Sequence, residues 1–404
     1  MGYPFSADEV SYLTSEAGAD ALRGCARLPL SADSRLSDVA AARRIAGERY
    51  AAAVLETVLL RRKATAKLSE LSDVDDWLFT DQALQQATAW PVAVHRAARF
   101  TGRDVHDVTC SIGVDLAALA REANVCLGSD VDTVRLAMAR HNVGPGPTLL
   151  RADALRPVSR GTAVFADPAR RDAGGRRRWR TDDFLPPLDD LAGTYAGREL
   201  AVKCAPGVDR AAVPWAREME VVSLDGQVRE ACLWAGELAS AGSRASVLRT
   251  TGTAWTITDA EPDDCPVREP GEWIVDPDGA VVRAGLVRHY AARHGLGQLD
   301  ERIAYLTGDA PPPGVRAFRV LEYGKYTEKA LRAALRRHGV GRLEILVRGL
   351  DVDPNTLRPR LKLSGDAEAT VVLTRIGRTP TVFLCHAPPP RNMDAYCGSG
   401  PACG

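Results

Sequence analysis

The chain predicts an α/β protein: a doubly wound, mostly parallel sheet with a closing β-hairpin, a helical N-terminal region, and a small C-terminal α+β domain. Three observations carry this. Residues from about 104 to 236 alternate apolar strand-like runs with helical segments, the order of a parallel sheet covered by crossover helices. Two runs, Met219-Glu-Val-Val-Ser-Leu224 and Arg229-Glu-Ala-Cys-Leu-Trp-Ala235, are then separated by a tight turn containing Asp225-Gly226, a pair that favours a hairpin. Past Pro311-Pro-Pro-Gly314 the order is strand, helix, strand, short helix and a strand pair, a ferredoxin-like split.

Taken in order, residues from about 7 to 100 read as helical. Ala41–Leu60 has apolar residues at helical spacing, broken only by Gly47. Arg61–Lys67 adds a basic stretch, a solvated face or an RNA contact. Thr80 or Asp81 is placed to cap another helix. Strands follow at Val125–Gly128, Thr148–Ala152, Gly161–Ala166 and Glu199–Cys204, with a helix around Phe184–Tyr195. Residues 259–279 are rich in Asp, Glu, Pro and Gly and read as a linker or edge loop. In the last domain Arg316–Glu322 and Arg342–Arg348 read as strands, and Thr327–His338 and Asp353–Leu361 as helices. Thr370–Ile376 and Thr381–Cys385 close it as a strand pair. The expected division is 1–100 helical, 101–258 sheet domain, 259–314 linker and edge elements, 315–390 α+β domain, and 391–404 tail.

Composition bounds the function. The 404 residues hold 52 Lys+Arg and 52 Asp+Glu, a formal net charge of zero. Global charge therefore argues for no polyanionic partner, although a local patch would suffice. No apolar run approaches a membrane span and no signal peptide opens the chain, so the expected location is cytoplasmic and no membrane partner is expected. Nine cysteines, odd in number and scattered through apolar runs, read as buried reduced thiols. Cys397 and Cys403 lie in a Gly-rich tail with no histidine cluster, and no metal site is expected. The sequence leaves the oligomeric state open.

The chemistry concentrates in Asp107-Val-Thr-Cys-Ser-Ile-Gly113-Val-Asp115, a small-residue turn between a strand and a helix. Such a turn lets backbone N–H groups approach a ligand. Three more acids, Asp130, Asp153 and Asp167, end successive strand-like runs, where open parallel sheets bind ligands. The bland alternative is a βα turn with no ligand. The register of the acids argues for a nucleoside site, and a single glycine after a leading acid differs from the G-x-G-x-x-G of dinucleotide folds.

The stretch from about Gln85 to Gly236 resembles class I S-adenosylmethionine (SAM)-dependent methyltransferases, with their Rossmann-like sheet. It is most similar to a bacterial group with a C-terminal THUMP-like domain, related to trimethylguanosine synthase. The residues that carry the resemblance are Gln85–Phe100, Asp107–Asp115, Gly128–Asn142 and Phe165-Ala-Asp-Pro-Ala-Arg-Arg171. The resemblance implies SAM as cofactor. Asp107, Thr109, Ser111 and Gly113 would form the turn around it, Asp130 would take the ribose hydroxyls, and Asp153 the adenine amine. Asp167 and Pro168 would face the transferred methyl group. Such enzymes usually have glycine where Ser111 stands, and a position needing φ > 0 would make Ser111 a weakness.

The acceptor is less determined. Asp167-Pro168 is followed by Ala169 and arginines rather than by an aromatic that would stack on a flipped base. Arg170 and Arg171 would hold a phosphate or pair with Asp172, Asp182 or Asp183. Arg176, Arg177, Arg178 and Arg180 surround Trp179 in a loop expected at the mouth of the site, an RNA footprint or a solvated loop. The expected function is methyl transfer to a nucleotide of tRNA or rRNA. The alternatives are a non-catalytic RNA-binding protein of this fold and an enzyme acting on a small molecule or protein. A lesser one is 5-methyluridine formation with Cys204 as nucleophile, though a buried structural thiol is the plainer reading of that residue.

Overall fold

In the computed structural model, described over residues 2–170 and 180–387, the chain divides into two compact units. One comprises residues up to 242 with 248–254, the other 243–247 with 255 onwards.

The first unit opens with α1 (Ala7–Leu13), α2 (Glu16–Ala26) and α3 (Arg35–Lys67). A capping box starts α1, the Ser6 hydroxyl accepting from the Glu9 amide and the Glu9 carboxylate from the Ser6 amide. α3 is two helical pieces joined at Gly47, whose φ of 75° and ψ of 160° leave the helix. That is the break expected at this glycine. α4 (Asp81–Gln86), capped by Thr80, and α5 (Trp90–Ala97) complete the helical region.

The sheet is built from β1 (Asp104–Asp107), β2 (Val125–Asp130), β3 (Thr148–Arg151) and β4 (Ala163–Ala166), with α6 (Val114–Glu122) and α7 (Thr133–Val143) as crossovers. Phe184 and Leu185 were expected at the start of a helix. They instead form β6 (Phe184–Leu185), antiparallel to β5 (Ala169–Arg170). Pro186-Pro187 supplies no amide donors, so α8 (Leu188–Thr194) begins only beyond them. β7 (Leu200–Cys204), β8 (Glu218–Leu224) and β9 (Gln227–Ala235) complete the order β3-β2-β1-β4-β7-β9-β8. The strands from β3 to β7 are parallel, and β9 runs antiparallel to both its neighbours. The β8–β9 turn is Asp225-Gly226, at φ of 51° and 76°, the doubly left-handed turn that matches strand twist.

The helical region is not an appendage to this sheet. Leu60, Phe79 and Trp90 share one buried apolar cluster with Leu116, Phe165 and Trp234. Asn142 at the end of α7 fixes the same junction: its amide donates to the carbonyls of Leu78 and Ile112 at 2.9 Å, and its oxygen accepts from the Leu78 amide at 2.7 Å.

β10 (Ser243–Leu248), all but its last residue in the second unit, pairs antiparallel with β11 (Trp255–Thr258). The stretch read as linker and edge elements carries β12 (Trp273–Asp276), α9 (Gly279–Arg283), α10 (Val287–Arg293), β13 (Gly297–Asp300) and β14 (Ile303–Gly308). Then follow β15 (Arg316–Lys325), α11 (Glu328–Arg337), β16 (Val340–Val347), α12 (Pro354–Leu361), β17 (Ala367–Ile376) and β18 (Thr379–His386). The element order is the expected one. The seven-stranded sheet runs β13-β14-β12-β15-β18-β17-β16, with β16 and β17 a parallel pair joined through α12. Among the described residues no helix is long and apolar enough to cross a membrane.

Candidate active site

Asp107 ends β1, fully buried, and its Oδ1 accepts the Thr109 amide at 3.1 Å. Burial first, and then the neighbouring charge of Asp115, hold its carboxyl well above the usual carboxylate range. The Thr109 hydroxyl accepts the Asp167 amide at 2.6 Å, so the turn after β1 and the loop after β4 are stitched together. Ser111 sits at φ 49°, the left-handed region where glycine is at ease, and its amide donates to Asp130 Oδ2 at 3.0 Å. Gly113 is at φ 94°, and a Cβ there would lie 2.7 Å from Val143 Cγ1, so this glycine is required twice over. Asp130 Oδ1 accepts the Asp132 amide at 2.9 Å. Asp153 is exposed just past β3, its Oδ1 accepting the Leu155 amide at 2.9 Å.

Of the residues singled out in the sequence, Asp107, Thr109 and Asp167 are thus joined by hydrogen bonds, as are Ser111 and Asp130. Asp153 lies near them only through strand order. Arg170 lends its backbone to β5. Arg180 is exposed and lies 3.7 Å from the Asp182 carboxylate. Arg171, Arg176, Arg177, Arg178, Trp179, Cys397 and Cys403 lie outside the described residues.

Sequence reasoning missed the charge network behind Asp167. Lys203 Nζ donates to Asp167 Oδ2 at 2.6 Å and to the Thr88 hydroxyl at 2.8 Å. The Thr88 hydroxyl in turn donates to Asp115 Oδ2 at 3.0 Å. Arg96, buried on α5, pairs with Asp115 on one side and Glu230 of β9 on the other, its guanidinium 4.7 Å from the centre of the Phe165 ring. Burial alone would discharge Lys203, but Asp167, Asp115 and Glu230 outweigh it and hold the ammonium above its ordinary range. Burial pushes Asp167 upward against the pull of Lys203. The available signal was cation placement: Arg96 breaks an apolar helical run, and Lys203 an apolar strand.

These groups floor a cleft of about 1090 Å³. Asp167, Pro168, Lys203 and Cys204 line it from the sheet, Gln86 and Trp90 from the helical region. The Cys204 thiol is buried. On the far side of β1, buried His106 has its ring nitrogens 2.9 Å from the Ser129 hydroxyl and 2.8 Å from that of Ser159. Burial and nearby Arg198 push its pKa down to about 4. Among the described residues no cluster of His, Cys, Asp or Glu could hold a metal ion.

The turn side fits a cationic nucleoside. Among the described residues Asp107 is a buried acid with one hydrogen-bond donor, and a positive charge placed beside it would favour its ionised form. Gly113 opens the N-terminus of α6, and the Asp130 carboxylate stands one strand away, where it would face the ribose of such a ligand.

Comparisons with known proteins identify the family. A family model described as THUMP domain-like matches residues 315–387. One described as a domain of unknown function (DUF8688) matches residues 6–64. Uncharacterized S-adenosylmethionine-dependent methyltransferases from two strains of Mycobacterium tuberculosis are each 55% identical over 347 residues, 82% of this chain and 96% of theirs. A crystal structure from Porphyromonas gingivalis that carries a methyltransferase name aligns with a TM-score of 0.72. It is 20% identical, over 95% of this chain and 99% of that one, a likeness of fold alone. The chain belongs to the SAM-dependent methyltransferases. It is an enzyme with SAM as its methyl donor, built on a Rossmann-like core with N-terminal helices and a separate C-terminal THUMP-like α+β domain.

Proposed function

We propose that this methyltransferase acts on a nucleotide of structured RNA, tRNA or rRNA, in the cytoplasm. The observation that carries the reading is the polar cleft of about 1090 Å³ against Asp167-Pro168, roomy enough for a nucleotide drawn out of its stack. The sequence resemblance to a group related to trimethylguanosine synthase, and the THUMP-like domain, favour the same reading.

In this reading Asp107, Thr109, Ser111 and Gly113 hold SAM at the turn, with Asp130 on the ribose and Asp153 at the adenine amine. SAM supplies an activated methyl group on sulfur. The protein's own part is alignment and exclusion of water. Thr109 fixes the Asp167 backbone, and Lys203 fixes its carboxylate. The Asp167 carboxylate, raised by burial, is suited to take the proton that an exocyclic amine or hydroxyl releases as it is methylated.

A second reading, a small-molecule or protein acceptor, is favoured by the zero net charge. The non-catalytic alternative gives way to membership of an enzyme family. Mass spectrometry of tRNA and rRNA nucleosides from a deletion strain and its parent decides the acceptor. The expected result is one methylated nucleoside missing from the deletion strain, restored in vitro by the enzyme with SAM. Identical profiles, with no label passing from SAM to the deletion-strain RNA, would refute the RNA reading in favour of the second.

A further inference from the structure

Most charged groups of the cleft have partners. Asp167 is held by Lys203, and Glu230 by Arg96. The Asp225 carboxylate is taken by the Thr250 amide at 3.1 Å and hydroxyl at 3.0 Å. Two cations on the same cleft are different. Lys67, at the end of α3, donates to the carbonyls of Leu84 at 2.8 Å and Gln85 at 2.7 Å, but meets no carboxylate among the described residues. Arg229, exposed on β9 just past the Asp225-Gly226 turn, has no ion pair among the described residues. Two cleft carboxylates likewise lack a cation among the described residues: Glu70, and Asp225, which only Thr250 engages. Lys67 and Arg229 are thus the two cations of the cleft lining without a carboxylate partner among the described residues.

We propose that Lys67 and Arg229 form a phosphate subsite of the acceptor cleft, so that the acceptor is recognised as a phosphorylated nucleotide rather than as a free base or nucleoside. This rests on the nucleotide reading above and deepens it. The two side chains reach the cleft from elements far apart in sequence and lie close enough to feel each other. Partial burial and the charges of Lys203 and Arg229 push the Lys67 ammonium down to about 8, a repulsion that a bound phosphate relieves. The carbonyls of Leu84 and Gln85 engage the ammonium from one side, and a phosphate oxygen offers a further acceptor to a group with three donors. Arg229 brings a planar fork suited to two oxygens of one phosphate. Lys67, Arg229 and Asp167 line the same cleft.

The test compares nucleoside 5′-monophosphates with the matching nucleosides as ligands of the full chain at low salt, in wild type and in Lys67→Gln/Arg229→Gln. Glutamine keeps N–H donors for the Leu84 and Gln85 carbonyls. SAM affinity within about two-fold of wild type shows that the variant is folded and its cofactor turn intact. Wild type should prefer monophosphate over nucleoside by on the order of ten-fold, and the double variant should lose that preference. Arg229→Gln alone, at an exposed position, should lose part of it and serves as the readout if the double variant unfolds. No preference in wild type, or a preference that survives in a variant with normal SAM binding, would overturn the subsite. RNA from the deletion strain separates this proposal from the one it rests on. If that RNA is never methylated but the monophosphate preference holds and falls with the variants, the RNA reading fails and the subsite stands for a free nucleotide. If the RNA is methylated and the variant keeps the wild-type KM and salt slope, the RNA reading stands and the subsite fails. Each lost phosphate contact should reduce the salt slope by about one.

Discussion

The two sides of the proposed active site, cofactor and acceptor, are made in different ways. The cofactor side is local: Asp107, Thr109, Ser111 and Gly113 lie within a few residues on one strand–turn–helix unit, and their contacts are mainly to backbone amides. The acceptor side is assembled from distant pieces. Thr88 and Arg96 come from the helical region, Asp115 from α6, Lys203 from β7 and Glu230 from β9, and their contacts are ion pairs linked through the Thr88 hydroxyl. A backbone turn tolerates imperfection, as Ser111 at a left-handed φ shows. A buried ionic network does not, because removing one member leaves its partner charged in a poor solvent.

The sharpest way to break this contrast is Arg96→Met. It strands Asp115 and Glu230, both nearly buried, and should cost about 3–5 kcal/mol of stability in denaturant unfolding. A loss below about 1 kcal/mol would mean that the network is not what joins helices to sheet.

Next in size is a pH effect from the far side of β1. His106 is buried with a pKa of about 4 against an ordinary 6.5. The unfolded chain therefore binds the extra proton first as pH falls. Stability is fully present above about 6.5 and declines toward pH 4, by as much as about 3 kcal/mol. His106→Asn should flatten that limb of the stability–pH curve. An unchanged slope would assign it to other groups.

Asp130→Ala should then weaken SAM binding by on the order of 2 kcal/mol, read by calorimetry, while leaving the fold intact. Unaltered affinity would remove Asp130 from the site. Smaller again is Ser111→Gly. Relief of the left-handed strain, about 1–2 kcal/mol, is partly offset by the added freedom of glycine when unfolded. A net gain of up to about 1 kcal/mol in stability is expected, with SAM affinity equal or a few-fold tighter. A loss on both counts would show that the serine hydroxyl has a role of its own.

The smallest expected effect is Cys204→Ser. The thiol is buried beside Lys203, and we expect most methyl transfer to survive, with transfer to a heteroatom. Loss of turnover with SAM binding intact, together with a covalent adduct trapped on 5-fluorouridine RNA, would promote the 5-methyluridine alternative.

Much of this architecture was written locally. The parallel strands, the Asp225-Gly226 hairpin, the break at Gly47 and the cap at Thr80 each follow from a few neighbouring residues whose backbone preferences agree with the fold. Strand ends then placed Asp107, Asp130, Asp153 and Asp167 along one edge of the sheet, because period and register are short-range properties. Where local signals conflicted, the reading failed: Phe184-Leu185 looked helical, and the prolines after it decided otherwise.

Only the tertiary structure could decide the acceptor side. Lys203 and Thr88 are 115 positions apart and Arg96 and Glu230 are 134 apart, and no periodicity links such pairs. An arginine in an apolar helix reads alike whether it meets solvent or two buried carboxylates. What distinguishes them is desolvation, a property of the packed interior, and packing is fixed only when helices, sheet and hairpin close on one another.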